Sequence, residues 1–402
     1  MVETQVALAL IDIAETTLIV MMVCHFDDTN PSGGLEKQTR MLGEALRKAG
    51  EDVVILGSTR KFSRVGWSDD QGVPVRLFWT YATPQISGRY LPASLLWAAQ
   101  LLIWVFFNRA RIDVLHIHQI RIHAFVAAIA RRLWGIPNIL KSATGGSGAD
   151  IRAIGTRKYF GAWGRRFIIA NADRFVATTL SIAEDLLAWG VPQEKIVIIP
   201  NGLQMRPVES GETPEARARR FVFLGRLDKD KNVVNLAQAA TGMPADKDFH
   251  LDFYGTGSLE REVAEILQRD ERGRATLKGW HPSPESILGH YGYLLLPSNA
   301  EGLSNAMLEA MAQGVVPLTT RVSGCVDHIK PGENGFFFDG VDKESMCAGL
   351  IAIAGVPVMQ WSELSRRAAD YAREHFDIAV VRDRYRSLYA ELALQREQSG
   401  DA

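Results

Sequence analysis

Glu301 and Glu309 stand eight residues apart, on either side of Gly-Leu-Ser-Asn-Ala-Met-Leu. Eight residues of helix span roughly 12 Å. Two carboxylates at that separation can grip hydroxyl groups at the two ends of a polyhydroxylated ligand. Between them the pattern turns helical from about Ser304, with Ala306, Met307, Ala310 and Met311 at three- and four-residue intervals. A helix N-terminus presents unpaired N–H groups and the positive end of a dipole, which suits a phosphate. The same spacing also describes two solvated glutamates on a surface helix. The choice between these readings rests on what surrounds the pair.

Apolar Tyr293 to Leu296 reads as a buried strand, and Pro297 to Ala300 as a turn. Gly314 ends the helix, and Val315 to Leu318 starts another strand. Glu301 therefore belongs to a loop at a strand's C-terminal end, and Glu309 to the following helix. Upstream, Thr17 to Phe26 is a continuous apolar run, typical of a strand covered on both faces. A loop over 27–34 closes in Ser32-Gly33-Gly34, an amphipathic helix runs from Leu35 to Ala49, and Val53 to Leu56 is the next strand. Doubly wound folds bind phosphates at such a Gly-rich first turn. Further strands at 75–78, 114–118, 138–141, 174–178 and 196–200 alternate with helices, which predicts a parallel sheet wrapped on both sides. Gln204 to Ala218 is polar and reads as a linker. The alternation then restarts, with strands at 220–225, 250–254, 275–278, 293–296, 315–319 and 335–338. The expected fold class is α/β, with two doubly wound, Rossmann-like parallel-sheet domains facing across a cleft, a favoured place for ligands.

At 402 residues, 47% apolar and 23% charged, the chain is globular and long enough for two domains. A net charge of −1 argues against a dedicated nucleic-acid binder. Residues 109–166 carry 11 basic side chains, opposed only by Asp113 and Asp150, which suits either an anion-facing surface on the first domain or ordinary solvated helix. Cys24, Cys325 and Cys347 have neither disulfide nor metal spacing and fit a reducing cytoplasm. Residues 1–16 lack the basic start of a secretory signal and read as an extension. No run reaches the ~20 apolar residues that span a bilayer. The nearest is Leu91 to Phe107, which carries Trp97, Trp104 and Phe106 and precedes Arg109 and Arg111. Such a helix suits either a membrane interface or a buried core.

Several motifs now fall in order. Ser32-Gly33-Gly34-x-Glu36 follows the first strand, and Val114-Leu-His-Ile-His118 and Ile199-Pro-Asn-Gly202 lie further on. Gly225-Arg226 with Lys231 opens the second domain, and Glu301-x7-Glu309 stands late in it. Together they resemble the retaining GT-B-fold glycosyltransferases of family 4, the group 1 glycosyltransferases. The resemblance runs from about residue 17 to 396. It implies an extension at 1–16, an acceptor-side domain at 17–205, a nucleotide-sugar domain at 206–375 and a helix at 376–396 returning to the first domain.

The resemblance also implies roles. Arg226 and Lys231 would neutralise the donor diphosphate, whose charge grows as it departs, so fixed cations favour the transition state. Backbone groups of Gly302, Leu303, Ser304 and Asn305 would bind the same phosphates, and Gly33 and Gly34 would let the first domain's backbone approach. Glu301 would bind the transferred sugar, and Glu309 the ribose. His118 would point into the cleft and touch the sugar, while His116 would face away or pack internally. Trp280 would lie near the base, and Lys141 and Thr144 on the acceptor side. The expected reaction passes a hexosyl unit from a UDP- or GDP-sugar to a hydroxyl, with anomeric retention, no metal and no cofactor. Asp228-Lys-Asp230 mimics a metal-binding D-x-D but reads as the loop between Arg226 and Lys231. The preferred acceptor is a lipid-linked sugar at the inner membrane face, in polysaccharide or glycolipid assembly. The alternatives are a soluble acceptor, or a phosphorylase or epimerase on the same fold. Leu203-Gln204-Met205 and Ser323-Gly324-Cys325-Val326-Asp327 depart from the family's pattern beside the expected hinge and sugar site.

Overall fold

The computed structural model describes residues 18–24, 26, 34–82, 88–142, 151, 154, 161–207 and 211–399. Gly33 and Thr144 lie outside them. The chain divides into two compact units. One takes the described residues up to Ala177, then Ala183–Ile199 and those from Arg382 onward; the other takes Thr178–Ile182 and Pro200–Val381.

The first unit holds a sheet of β1 (Leu18–Val23), β2 (Asp52–Thr59), β3 (Gly66–Asp70), β4 (Val73–Trp79), β5 (Ile112–His118), β6 (Asn138–Ser142), β7 (Arg174–Ala177) and β8 (Ile196–Ile198). Their order is β3-β4-β2-β1-β5-β6-β7-β8. All neighbours are parallel except β3 and β4. The order reverses between β1 and β5, the switch point where open α/β sheets take ligands. There Val23 is in register with His118, and His118 with Lys141. Helices α1 (Gly34–Lys48), α2 (Leu91–Asn108), α3 (Ile122–Trp134), α4 (Gly161–Ala170) and α5 (Leu180–Ala188) fill the crossovers, α5 starting within the other unit's 178–182.

Two features go beyond the sequence reading. The polar edge strand β3 carries little apolar alternation. Its signal is Gln71-Gly72, both at positive φ, which turn the chain tightly back into β4. And α2 is apolar on both sides. Trp97, Leu101 and Val105 form a buried stripe, with Trp97 Nε1 donating to the Gly57 carbonyl at 3.3 Å. Trp97 is therefore a core residue, and the outward face consists of Leu95, Ile103, Phe106 and Phe107. At 18 residues α2 is also long and apolar enough to cross a membrane, although that stripe packs it within the unit.

The second unit holds α6 (Pro214–Ala218), β9 (Arg220–Leu224), α7 (Val233–Thr241), β10 (His250–Tyr254), α8 (Glu260–Gln268), β11 (Ala275–Gly279), β12 (Tyr293–Leu296), α9 (Asn305–Ala312), β13 (Val316–Thr319), α10 (Ser323–Val326), β14 (Phe336–Phe337), α11 (Lys343–Ala354) and α12 (Val358–Phe376). The sheet order is β11-β10-β9-β12-β13-β14, parallel throughout, with its switch point between β9 and β12. Alternate residues of one strand enter two different cores: Phe221 and Phe223 one, Val222 and Leu224 the other. Both faces are covered, which explains the uninterrupted apolar strands.

The last helix, α13 (Ile378–Ser399), packs into the first unit from Arg382 onward. Tyr385, Leu388, Tyr389 and Leu392 form its buried stripe. Arg386 pairs with Glu51 at 2.6 Å, Arg174 with Glu391, and Arg396 Nη1 donates to the Ile112 carbonyl at 3.0 Å.

Candidate active site

At the switch point of the second unit, the loops after β9, β10 and β12 converge. Gly225 N donates to the Tyr254 carbonyl at 3.1 Å, and Leu227 N to the Thr256 carbonyl at 2.9 Å. A Cβ on Gly255, at φ 138°, would stand 1.8 Å from the Gly225 carbonyl oxygen, so only glycine lets the two loops back onto one another. Lys231 ends a 3-10 turn over Lys229–Lys231, and Asn232 follows in the left-handed region at φ 50°. The Asn232 side chain donates to the Pro297 carbonyl at 2.7 Å and to Asn299 Oδ1 at 2.8 Å. Asn299 N donates in turn to the Asp230 carbonyl at 2.8 Å. These bonds lock the loop bearing Lys231 to the loop bearing Glu301.

The result is an ion pair between Lys231 Nζ and Glu301 Oε1 at 2.5 Å, each side chain only 13–14% exposed. Ser298 Oγ donates to the same carboxylate oxygen at 2.8 Å. Arg226 is 68% exposed and faces Asp228 at 2.6 Å and Asp230 at 3.3 Å. Asp228 also accepts from the Ser258 N–H and hydroxyl, and these bonds hold its carboxyl below the usual range. Among the described residues, no group of three or more His, Cys, Asp or Glu is placed to hold a metal ion.

Ser304 caps α9, its hydroxyl accepting from the Met307 N–H. That leaves the N–H groups of the helix's first turn outside its own ladder. Glu309 lies within α9, and Asn305 Oδ1 accepts from Asn201 Nδ2 at 3.1 Å. Leu303 is buried. Beside this loop, a Cβ on Gly324 would meet the Gly302 carbonyl oxygen at 2.3 Å, so α10 abuts the segment 302–303 directly. Sequence reasoning placed the Gly324 segment beside the sugar site without its backbone contact, and it missed Ser298 and Asn232 in these supporting roles. Trp280 stands exposed after Gly279 at the end of β11.

In the first unit, His118 ends β5 and Gln119 follows at φ 72°. Left-handed backbone is uncommon at a non-glycine residue, and it recurs at Asn232, directly after Lys231. The His118 side chain is fully buried, and neither ring nitrogen has a hydrogen-bond partner. Burial, then the positive fields of His116, Lys141 and His123, push its pKa well below the ordinary value, so the ring is neutral at pH 7. His116 does not face away. Residues two apart on a strand share a face, and the two imidazoles stack with centroids 4.2 Å apart. Lys141, one strand over, is buried with no carboxylate partner among the described residues, and desolvation lowers its pKa to about 8. Its Nζ lies 5.9 Å from the Tyr385 ring centroid. Gly34 opens α1 and is exposed.

The family model for glycosyl transferase 4-like domains matches residues 33–202, and that for glycosyl transferases group 1 matches 218–355. The chain belongs to the group 1 glycosyltransferases. This glycosyltransferase has the GT-B fold, superposing on the crystal structure of Anabaena HepE in complex with UDP and glucose with a TM-score of 0.72 at 13% identity, over 93% of this chain and 100% of that one. It is 24% identical to N-acetyl-alpha-D-glucosaminyl L-malate synthase of Bacillus anthracis, over 73% of this chain and 78% of the relative. It is 23% identical to the UDP-Gal:alpha-D-GlcNAc-diphosphoundecaprenol alpha-1,3-galactosyltransferase of Escherichia coli, over 73% and 79%.

Proposed function

We propose that this glycosyltransferase moves a hexosyl unit from a UDP- or GDP-sugar to an acceptor hydroxyl with retention of configuration and without a metal ion. The Lys231–Glu301 pair carries the reading. A donor diphosphate would draw Lys231 away from Glu301, freeing a carboxylate for the sugar hydroxyls. Arg226 and the first turn of α9 would share the phosphate charge, and Glu309 would hold the ribose. Protein cations would thereby supply the charge that a metal supplies elsewhere. His118, neutral and unpartnered, offers two nitrogens to sugar hydroxyls. Gly33 and Gly34 would let the backbone approach the donor, and Trp280 would flank the base. The leaving phosphate would take the acceptor proton, so Glu301 orients the donor rather than attacking it.

For the acceptor we favour a lipid-linked sugar at the cytoplasmic membrane face, bound on the side of Lys141 and Thr144. The outward face of α2, with Arg109 and Arg111 at its end, supports peripheral membrane contact. The E. coli relative, named for a diphosphoundecaprenol substrate, supports a lipid-linked acceptor; the B. anthracis relative, named for L-malate, favours a soluble one. A thermal-shift panel of UDP-, GDP- and ADP-sugars tests the donor. Transfer assays with polyprenyl-diphosphate sugar or soluble acids follow, with the product anomer read by NMR and EDTA added in parallel. An inverted product, or activity abolished by EDTA, would overturn the mechanism.

A further inference from the structure

The proposed chemistry uses His118 but not the buried side chains packed behind it in the first unit. His116 and His118 share a face of β5, and Tyr385 and Tyr389 reach them from α13. The Tyr389 hydroxyl and His116 Nδ1 share a hydrogen bond of 2.8 Å. The Tyr385 ring lies 4.9 Å from His116 by centroids and 6.0 Å from Tyr389, stacked on it. His123 Nε2 donates to the His118 carbonyl oxygen at 3.0 Å and so fixes the backbone end of that residue. The ring itself makes no hydrogen bond and stacks on His116. The Tyr389 hydroxyl, able to donate or to accept, fixes the tilt of His116 through this bond. His116 in turn fixes the plane of His118. Burial keeps His116 neutral as well. A direct hydrogen bond to His118 would have occupied a nitrogen; a stack leaves both available.

We propose that Tyr389 is a positioning residue for His118, acting through the His116 stack, so that the C-terminal helix orients the ring that meets the donor sugar. This rests on the reading of His118 as the sugar contact. The probes are UDP, UDP-glucose, UDP-galactose and UDP-N-acetylglucosamine, used on the full chain, with UDP release as the rate. Tyr389→Phe removes one hydroxyl and keeps the ring. Its kcat with the best of the three sugars should fall roughly 10- to 100-fold, as expected when a reacting geometry loosens. KM and UDP affinity should change less than about twofold, because the proposed reading brings the sugar, and not the nucleotide, to His118. In ring-15N-histidine NMR, adding the sugar nucleotide should shift the His118 signals in the wild type, and Tyr389→Phe should shift the His116 signals. A Tyr389→Phe enzyme with wild-type kcat beside an inactive His118→Ala would overturn the inference alone. Loss of UDP affinity and Tm in step with kcat would reduce Tyr389 to a structural role and overturn it too. A fully active His118→Ala would instead overturn the reading on which it rests.

Discussion

Lys231 Nζ and Glu301 Oε1 lie 2.5 Å apart, brought together from the loops after two neighbouring strands. The pair is largely withdrawn from water, so removing one partner strands the other. Lys231→Ala should cut turnover by at least 100-fold and lower stability by roughly 1–3 kcal/mol. Glu301→Gln keeps an acceptor for Ser298 and should cost less stability but as much sugar affinity. Urea unfolding and calorimetric binding of UDP against UDP-glucose separate the two effects. Near wild-type turnover in Lys231→Ala would remove the phosphate assignment. Arg226 is mostly exposed, and Arg226→Ala should leave stability unchanged while weakening UDP binding.

Gly324 abuts the segment 302–303 so closely that an added methyl would meet backbone, not a flexible side chain. Gly324→Ala must shift either α10 or that segment. Overpacking of this kind costs roughly 1–3 kcal/mol. Affinity for UDP-glucose should fall about tenfold, read by calorimetry. Unchanged affinity would mean that the 302–305 segment is not part of the donor site.

Lys141 is a buried cation held at a pKa of about 8 against an ordinary 10.5. Below pH 8 it is charged in both folded and unfolded chains, and the burial penalty is present in full. Between pH 8 and 10.5 the unfolded chain holds a proton that the folded chain gives up, so this residue's contribution to stability rises with pH. The penalty is on the order of 3 kcal/mol. Lys141→Met should therefore unfold at higher urea at pH 7 and lose part of that pH dependence. Equal midpoints for the two proteins at pH 7 would contradict it.

The outward face of α2 carries Phe107, 76% exposed, with Ile103 and Leu95 on the same side. Phe107→Ser with Ile103→Ser should reduce binding to vesicles containing anionic lipid severalfold without lowering Tm. Trp97→Ala should do the reverse, losing about 3–5 kcal/mol of stability. Unaltered vesicle binding in the double variant would argue against membrane contact through this face.

The strands and the Glu301–Glu309 segment were legible because period and punctuation are local: Tyr293 to Leu296 is apolar throughout, and Gly314, at φ 68°, follows the C-cap of α9. The two-sided burial of Phe221 through Leu224 is written in the same run. What the sequence withheld was spatial. Nothing local says that Trp97 turns inward while Phe107 turns outward, because α2 is apolar all round. Nothing near His116 announces Tyr389, 273 positions away, as its partner. Lys231 and Glu301 were both singled out in the sequence, but their pairing depends on which strands become neighbours.

The return of α13 also gives the chain a timetable. A nascent polypeptide emerges from its N-terminus, so β1 to β8 leave the ribosome long before Tyr385 and Tyr389. The second unit, apart from the short Thr178–Ile182 segment, is one continuous stretch ending at Val381 and can close first. The unit begun earliest is finished last, and until its final helix arrives His116 has no hydroxyl and its sheet has an open apolar flank. A chain ended before Tyr389 would keep a sound second unit beside a first unit whose His116 lacks its hydroxyl partner.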